Sequence, residues 1–288
     1  MPRQPTNIAA SLRARLLNIA RETKQPFEVL LTRFVLERLL FRLSRSKHAD
    51  RFVLKGAMLL ATWLPDTTRG TRDLDLLGFG DASEQQILAI FRDVLAMVDD
   101  DGVEFDVDSL QIGPIREEME YGGVRLRGMA TLSGARITII VDIGLGDSVE
   151  PGLDTIDYPS LLNLPRPRLR AYAPETVIAE KFQAMVALGR ANSRMKDFYD
   201  IWILTKTFDF ASDRLARAIA ATFTRRQTKI PTDLPDALTQ EFAQDPSKQR
   251  QWTAFIASID GAPDLLKQVV NELAPFLMDA TNLAQRKL

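Results

Sequence analysis

The sequence predicts an α/β (α+β) chain, a small mixed-sheet lobe followed by a helical C-terminal lobe. Three observations carry this. Apolar residues recur at helical spacing before residue 48 and again after Pro174. Between them lie short segments that alternate apolar and polar residues, as half-exposed strands do. The stretch from Gly144 to Pro174 holds five of the fifteen prolines and reads as an extended connector between the two patterns. The expected division is residues 1–50 for N-terminal helices packing on the core, 51–160 for the α/β lobe and 161–288 for the helical lobe.

In chain order, Ile8 to Thr23 is a basic amphipathic helix. Pro26 sits at the start of a second, FEVLLTRFVLERLLFRLSRS. FVLKGAMLLATWL reads as a short strand, a Lys55-Gly56 turn and a helix over Met58 to Leu64. RDLDLLGFG alternates as a strand ending at a glycine turn. Ala82 to Val98 is a helix with Ser83 as a cap. GVEFDVDSL is a half-exposed strand, and GGVRLRGMATL with ARITIIVDIG forms a hairpin through Ser133-Gly134. Helices then run over Pro174 to Ala191 and Arg194 to Thr207, with three or four more to Leu288.

Composition removes whole classes of chemistry. The 288 residues contain no Cys and one His, His48. Disulfides, thiolate metal sites and cysteine nucleophiles are excluded, and a histidine-centred mechanism is disfavoured. Lys plus Arg is 37 and Asp plus Glu is 38, for a formal charge of −1. Any contact with nucleic acid must therefore come from a local patch, for which Arg166, Arg168, Arg170, Arg190, Arg194, Arg225, Arg226 and Lys229 are candidates. The N-terminus lacks an apolar signal core and no run of about 18 apolar residues occurs, so no membrane is expected and the cytoplasm is the expected location.

The richest stretch is Thr71-Arg72-Asp73-Leu74-Asp75-Leu76-Leu77. On a strand Asp73 and Asp75 point to one face while Leu74 and Leu76 pack behind. Two adjacent carboxylates call for a cation, and an oxygen-rich pair suits Mg²⁺ or Mn²⁺. A solvated strand face is the alternative reading. Asp142, which interrupts Ile139-Ile140-Val141-Asp142-Ile143, is costly in such company unless paired or metal-bound. Gly56 lets the backbone approach a ligand at a strand–helix turn. Lys181 shares a helix face with Val177, Met185 and Leu188, and so either snorkels or needs an anion, a protein carboxylate or a phosphate. Asp197 and Asp200 lie on one stripe of the next helix, with Arg194 and Lys196 available for ion pairs.

Together Phe52-Val53-Leu54-Lys55-Gly56-Ala57, Thr71 to Asp75, Val141 to Asp147, Glu175 to Lys181 and Ser193 to Asp200 resemble the AbiEii/AbiGii-type nucleotidyltransferases, toxins of bacterial toxin–antitoxin and phage-defence systems. The resemblance spans roughly residues 24 to 207 and lies in the order and spacing of the segments. It implies a nucleotidyltransferase-like fold and an NTP substrate. Asp73 and Asp75 would hold Mg²⁺, with Asp142 as a third acid for the metal or the proton. Lys181 and Asp197 match the family's helix-borne catalytic pair. Lys55, Gly56 and Thr71, with Lys196 and Asp200 as secondary candidates, would contact nucleotide. The family points to an RNA acceptor, the tRNA 3′ end foremost, and to a cognate antitoxin. Ala57 stands where the broader signature has serine, so that hydroxyl contact to phosphate is missing. Transfer to a protein hydroxyl, and a degenerate fold that only binds, are the alternatives.

Overall fold

The computed structural model describes residues 7–64, 71–81, 83–115, 123–257 and 259–286. The described chain divides into two compact units. The first runs to residue 146 and includes 155–171; the second comprises 147–154 and the chain from 172 onward.

The first unit is built on a seven-stranded mixed sheet. Its strands are β1 (Phe52–Lys55), β2 (Leu74–Gly78), β3 (Val103–Pro114), β4 (Gly123–Leu132), β5 (Ala135–Leu145), β6 (Leu153–Asp157) and β7 (Arg168–Tyr172), in the spatial order β3-β4-β5-β2-β1-β7-β6. β1 runs antiparallel to β2, and β2 parallel to β5. The hairpin turn is the expected one. Ser133 and Gly134 both have positive φ, the signature of a two-residue primed turn, and pairing proceeds outward from Leu132↔Ala135.

One face of the sheet is apolar. Leu54, Leu74, Leu76, Leu126, Ile139, Val141 and Ile143 are all completely buried on it. Helices α1 (Ile8–Thr23) and α2 (Phe27–Arg45) pack on strands of this sheet. Asn7 caps α1 by accepting a hydrogen bond from the Ala10 amide.

α2 departs from a simple amphipathic reading, because every residue from Phe34 to Leu43 is buried, nearly three turns with no solvent face. Glu37, Arg38 and Arg42 go inside with it and find partners there. Arg42 donates to both oxygens of buried Asp101, at 2.6 and 3.0 Å, and to the carbonyls of Met97, Arg38 and Val103. Arg38 donates to the Pro165 carbonyl, and Glu37 accepts from the Leu161 amide. Burial pushes the Glu37 carboxyl above its ordinary pKa, although that amide and Arg38 oppose the shift.

The proline-rich connector holds two strands, β6 and β7, that its composition concealed. Prolines 151, 159, 165 and 167 all fall outside them, so each strand keeps its ladder donors. β3 also runs past Leu110, through an irregularity in register between Asp106 and Gln111. Helices α3 (Gly56–Trp63) and α4 (Glu84–Leu95) complete the unit.

The second unit is helical: α5 (Pro174–Leu188), α6 (Met195–Thr207), α7 (Ser212–Arg225), α8 (Gln240–Gln244), α9 (Pro246–Ile256) and α10 (Leu266–Gln285). Its core is aromatic. The rings of Phe182 and Phe223 lie 5.4 Å apart, and Phe198 stacks on Phe242 at 5.6 Å. Trp252 is fully buried and donates its indole N–H to the Pro263 carbonyl. No described helix is long and apolar enough to cross a membrane.

Candidate active site

The acids of the Asp-x-Asp segment lie at the N-terminal end of β2, a central strand. Register places four charged residues in one transverse row on the sheet. Lys55 of β1 pairs with Asp75 of β2, Asp75 with Asp142 of β5, and Asp142 with Arg125 of β4. Residues paired across a ladder share a face, so the row presents two adjacent carboxylates flanked by two cations. The apolar residues on either side of Asp75, Leu74 and Leu76, point the opposite way into the core.

Two details shape this row. Gly56, the first residue of α3, has φ +69, a left-handed conformation that suits glycine. A Cβ there would fall 2.6 Å from the Cβ of Asp75 and overlap its carboxylate. The glycine therefore supplies the space that Asp75 occupies. Thr71 supplies the second detail: its hydroxyl donates to Asp73 Oδ1 at 2.7 Å, which orients that carboxylate from two residues away. Asp73 and Asp75 are both half-buried.

Asp142 is held differently. Arg125 donates from Nε to Oδ1 and from Nη2 to Oδ2, both at 2.7 Å, in a fork-to-fork pair. Sequence reasoning singled out Asp142 but not Arg125. The signal was available, since a two-residue turn at Ser133-Gly134 fixes each partner outward along the hairpin and reaches Arg125↔Asp142. Among the described residues, no three His, Asp or Glu side chains group as a metal cage. Two carboxylates are nonetheless a fitting donor set for Mg²⁺, which keeps waters and takes substrate phosphates as its remaining ligands.

The remaining candidates lie in the helical unit. Lys181 of α5 extends its ammonium between Asp197 Oδ1, at 2.7 Å, and Asp200 Oδ2, at 2.8 Å, both on α6. The anionic partner its apolar helix face calls for is thus a pair of protein carboxylates. Arg194 pairs with Asp197 through Nε and Oδ2 at 2.6 Å. Asp197 and Asp200 are completely buried, whereas Lys196 is exposed. Burial works to raise the Asp197 pKa, but Lys181 and Arg194 outweigh it and hold the carboxyl below the ordinary aspartate range.

Next to Lys181 a second network forms around Arg226, which pairs with Glu180 at 3.1 Å and Asp147 at 3.4 Å and donates to Gln183. Tyr172 donates to Glu180, and burial pushes its hydroxyl well above its ordinary pKa. Arg226, grouped from sequence with the surface cations, is only 5% exposed and serves this network instead. Arg166, Arg168, Arg190, Arg225 and Lys229 are exposed. Arg170 is half-buried, donates to the Asp50 carbonyl and stacks over Phe79.

Comparison with known proteins bears on both units. The chain superposes on JHP933 from Helicobacter pylori with a TM-score of 0.51 at 15% identity, covering 91% of this chain and 96% of that one. A second H. pylori structure, assigned provisionally as a nucleotidyltransferase, gives a TM-score of 0.49 at 16% identity, covering 90% and 97%. No curated protein matches. The family model described as nucleotidyl transferase AbiEii toxin, type IV TA system, matches residues 38–273, which takes in both charged clusters. The chain belongs to the AbiEii family of nucleotidyltransferase toxins of type IV toxin–antitoxin systems.

Proposed function

We propose that this nucleotidyltransferase transfers a nucleoside monophosphate from NTP to an RNA acceptor, the tRNA 3′ end foremost, in a Mg²⁺-dependent reaction. The observation that carries the reading is Asp75 seated in the space that Gly56 leaves, with Asp73 two residues before it oriented by Thr71, two oxygen donors on one short segment. Asp73 and Asp75 would hold Mg²⁺. When bound, the ion offsets the negative charge that develops on the phosphates.

The chain's own residues have distinct tasks. Thr71 keeps Asp73 oriented, and Gly56 with Lys55 forms the wall against which the nucleotide lies. The acceptor hydroxyl oxygen forms a bond to the α-phosphorus as the bond to pyrophosphate breaks. Pyrophosphate leaves with the electron pair, and the hydroxyl proton passes to Asp142 or to water. Lys181 and Asp197 are assigned to the same reaction, the lysine as a fixed positive charge for phosphate and the aspartate as its positioner. Asp200 shares that positioning role, and Lys196 is a secondary phosphate contact. The exposed arginines are candidates for the RNA backbone. The partners that follow are a cognate antitoxin and a cytoplasmic pool of NTP and RNA, and phage defence is the proposed setting.

Incubation with each α-labelled NTP, Mg²⁺ and total RNA tests this. Label is expected on RNA, with Asp73→Ala lowering the rate about 10³-fold, the scale of a lost electrostatic contact in the transition state. Label on polypeptide would replace the acceptor with a protein. Absence of label on either, with undiminished toxicity of Asp73→Ala in a bacterial host, would overturn the reading.

A further inference from the structure

The row of charges raises a question that the acids alone do not. Asp75 and Asp142 are direct neighbours on parallel strands, and two carboxylates so placed repel unless a cation lies against them. On Asp142 that cation is already part of the chain. Arg125 engages both oxygens at 2.7 Å, and the two side chains are 24% and 13% exposed, so the pair is partly shielded from water. A guanidinium in this position is always charged and cannot be titrated away. A divalent ion approaching Asp142 would therefore meet a resident positive charge and would have to displace a bidentate pair.

We infer that Arg125 is the built-in counter-cation of Asp142 and a positioning residue that keeps this acid out of the metal's coordination shell. The inference rests on the proposed reading of Asp73 and Asp75 as metal ligands. It follows that the chain supplies the ion with two carboxylates rather than three. Such a site is too sparse to charge with metal by itself, and phosphate oxygens must complete it. The ion and the nucleotide then bind together, each strengthening the other by the same factor. In physical terms Arg125 sets the order of assembly: with a third acid available the empty protein would hold metal, and with Arg125 in place it waits for the metal–nucleotide complex.

Mn²⁺ binding followed by electron paramagnetic resonance, without nucleotide, reads this directly. Arg125→Gln is expected to bind Mn²⁺ about tenfold more tightly than wild type. Arg127→Gln, which removes an equal charge two residues along the same face of β4, is expected to change affinity less than twofold. Asp142→Asn is expected to alter wild-type affinity by less than about threefold, but to abolish the gain when combined with Arg125→Gln. Equal gains in the two arginine variants would reduce the effect to net charge and overturn the inference. So would a tenfold loss in Asp142→Asn alone, a result that needs no folded arginine variant. Asp75→Asn separates the two readings. If it leaves Mn²⁺ binding in the presence of NTP unchanged, the metal site itself is misassigned. If it lowers that binding while Arg125→Gln has no effect, only the role of Arg125 fails.

Discussion

The two charged clusters satisfy their carboxylates in opposite ways. On the sheet, Asp73 and Asp75 are half-buried, and a glycine is placed where any side chain would collide with Asp75. In the helical unit, Asp197 and Asp200 are completely buried, and their ion pairs to Lys181 and Arg194 are made within the protein. The first arrangement leaves carboxylates partly open to solvent, on a row that also carries Lys55 and Arg125. The second fixes a lysine in one geometry by surrounding it with anions. Acidic clusters that look alike in sequence thus divide into one left half-buried and one sealed in ion pairs inside the protein. Removing an acid should help or harm stability accordingly.

The largest contrast should come from stability measurements. Asp197→Ala leaves Lys181 and Arg194 short of a buried anion and is expected to cost about 3 kcal/mol. That is the low end for a broken buried pair, because Asp200 still faces Lys181 and Arg194 can turn toward solvent. Asp75→Asn, at a half-buried position on the polar face of the sheet, is expected to change stability by less than about 1 kcal/mol. Urea unfolding followed by tryptophan fluorescence measures both, and Trp202 and Trp252 report on the helical unit. Equal costs for the two variants would break the contrast.

Gly56→Ala should produce an intermediate effect. The left-handed backbone and the overlap with Asp75 together are expected to cost about 2 kcal/mol. The displaced carboxylate should also weaken Mg²⁺·NTP binding by calorimetry. A variant as stable as wild type with unchanged nucleotide affinity would show that the cradle around Asp75 is incidental.

The smallest effects should appear in acid, with opposite signs. Asp197 has a lowered pKa in the folded chain, so its stabilisation is present above the unfolded value of about 3.9 and is lost as pH falls further through the folded value. Glu37, raised by burial, takes up its proton in the folded chain first. It adds stability as pH falls through the window just above about 4.3. Denaturation series from pH 6 to 3 should show the first component vanish in Asp197→Asn and the second in Glu37→Gln. A slope unchanged in either variant would reject that assignment.

Much of this was legible in the sequence. Alternation in Asp73-Leu74-Asp75-Leu76 separated the polar side of the strand from the core, and the apolar surroundings of Lys181 left a choice between snorkelling and an anionic partner, which Asp197 and Asp200 decide. Local period gives this kind of information. What stayed hidden depends on partners distant along the chain. Arg42 with Asp101 is one case, because burial of a helix on all sides depends on what packs around it. β6 and β7 are another, since proline density masked two short segments free of proline. Arg125 falls between, hidden by residue type but recoverable from the hairpin's register.

That hairpin works as a ruler. Its length is set by Ser133 and Gly134, at the far end of the same two strands from the charged row. Point changes on the exposed face can exchange one charge for another without disturbing the fold. A single residue inserted within either strand, between the tip and the row, cannot be so neutral: it would strip Arg125 from Asp142, or turn Asp142 inward and bring Val141 or Ile143 out in its place. Drift in this part of the molecule is therefore open to substitution and closed to insertion.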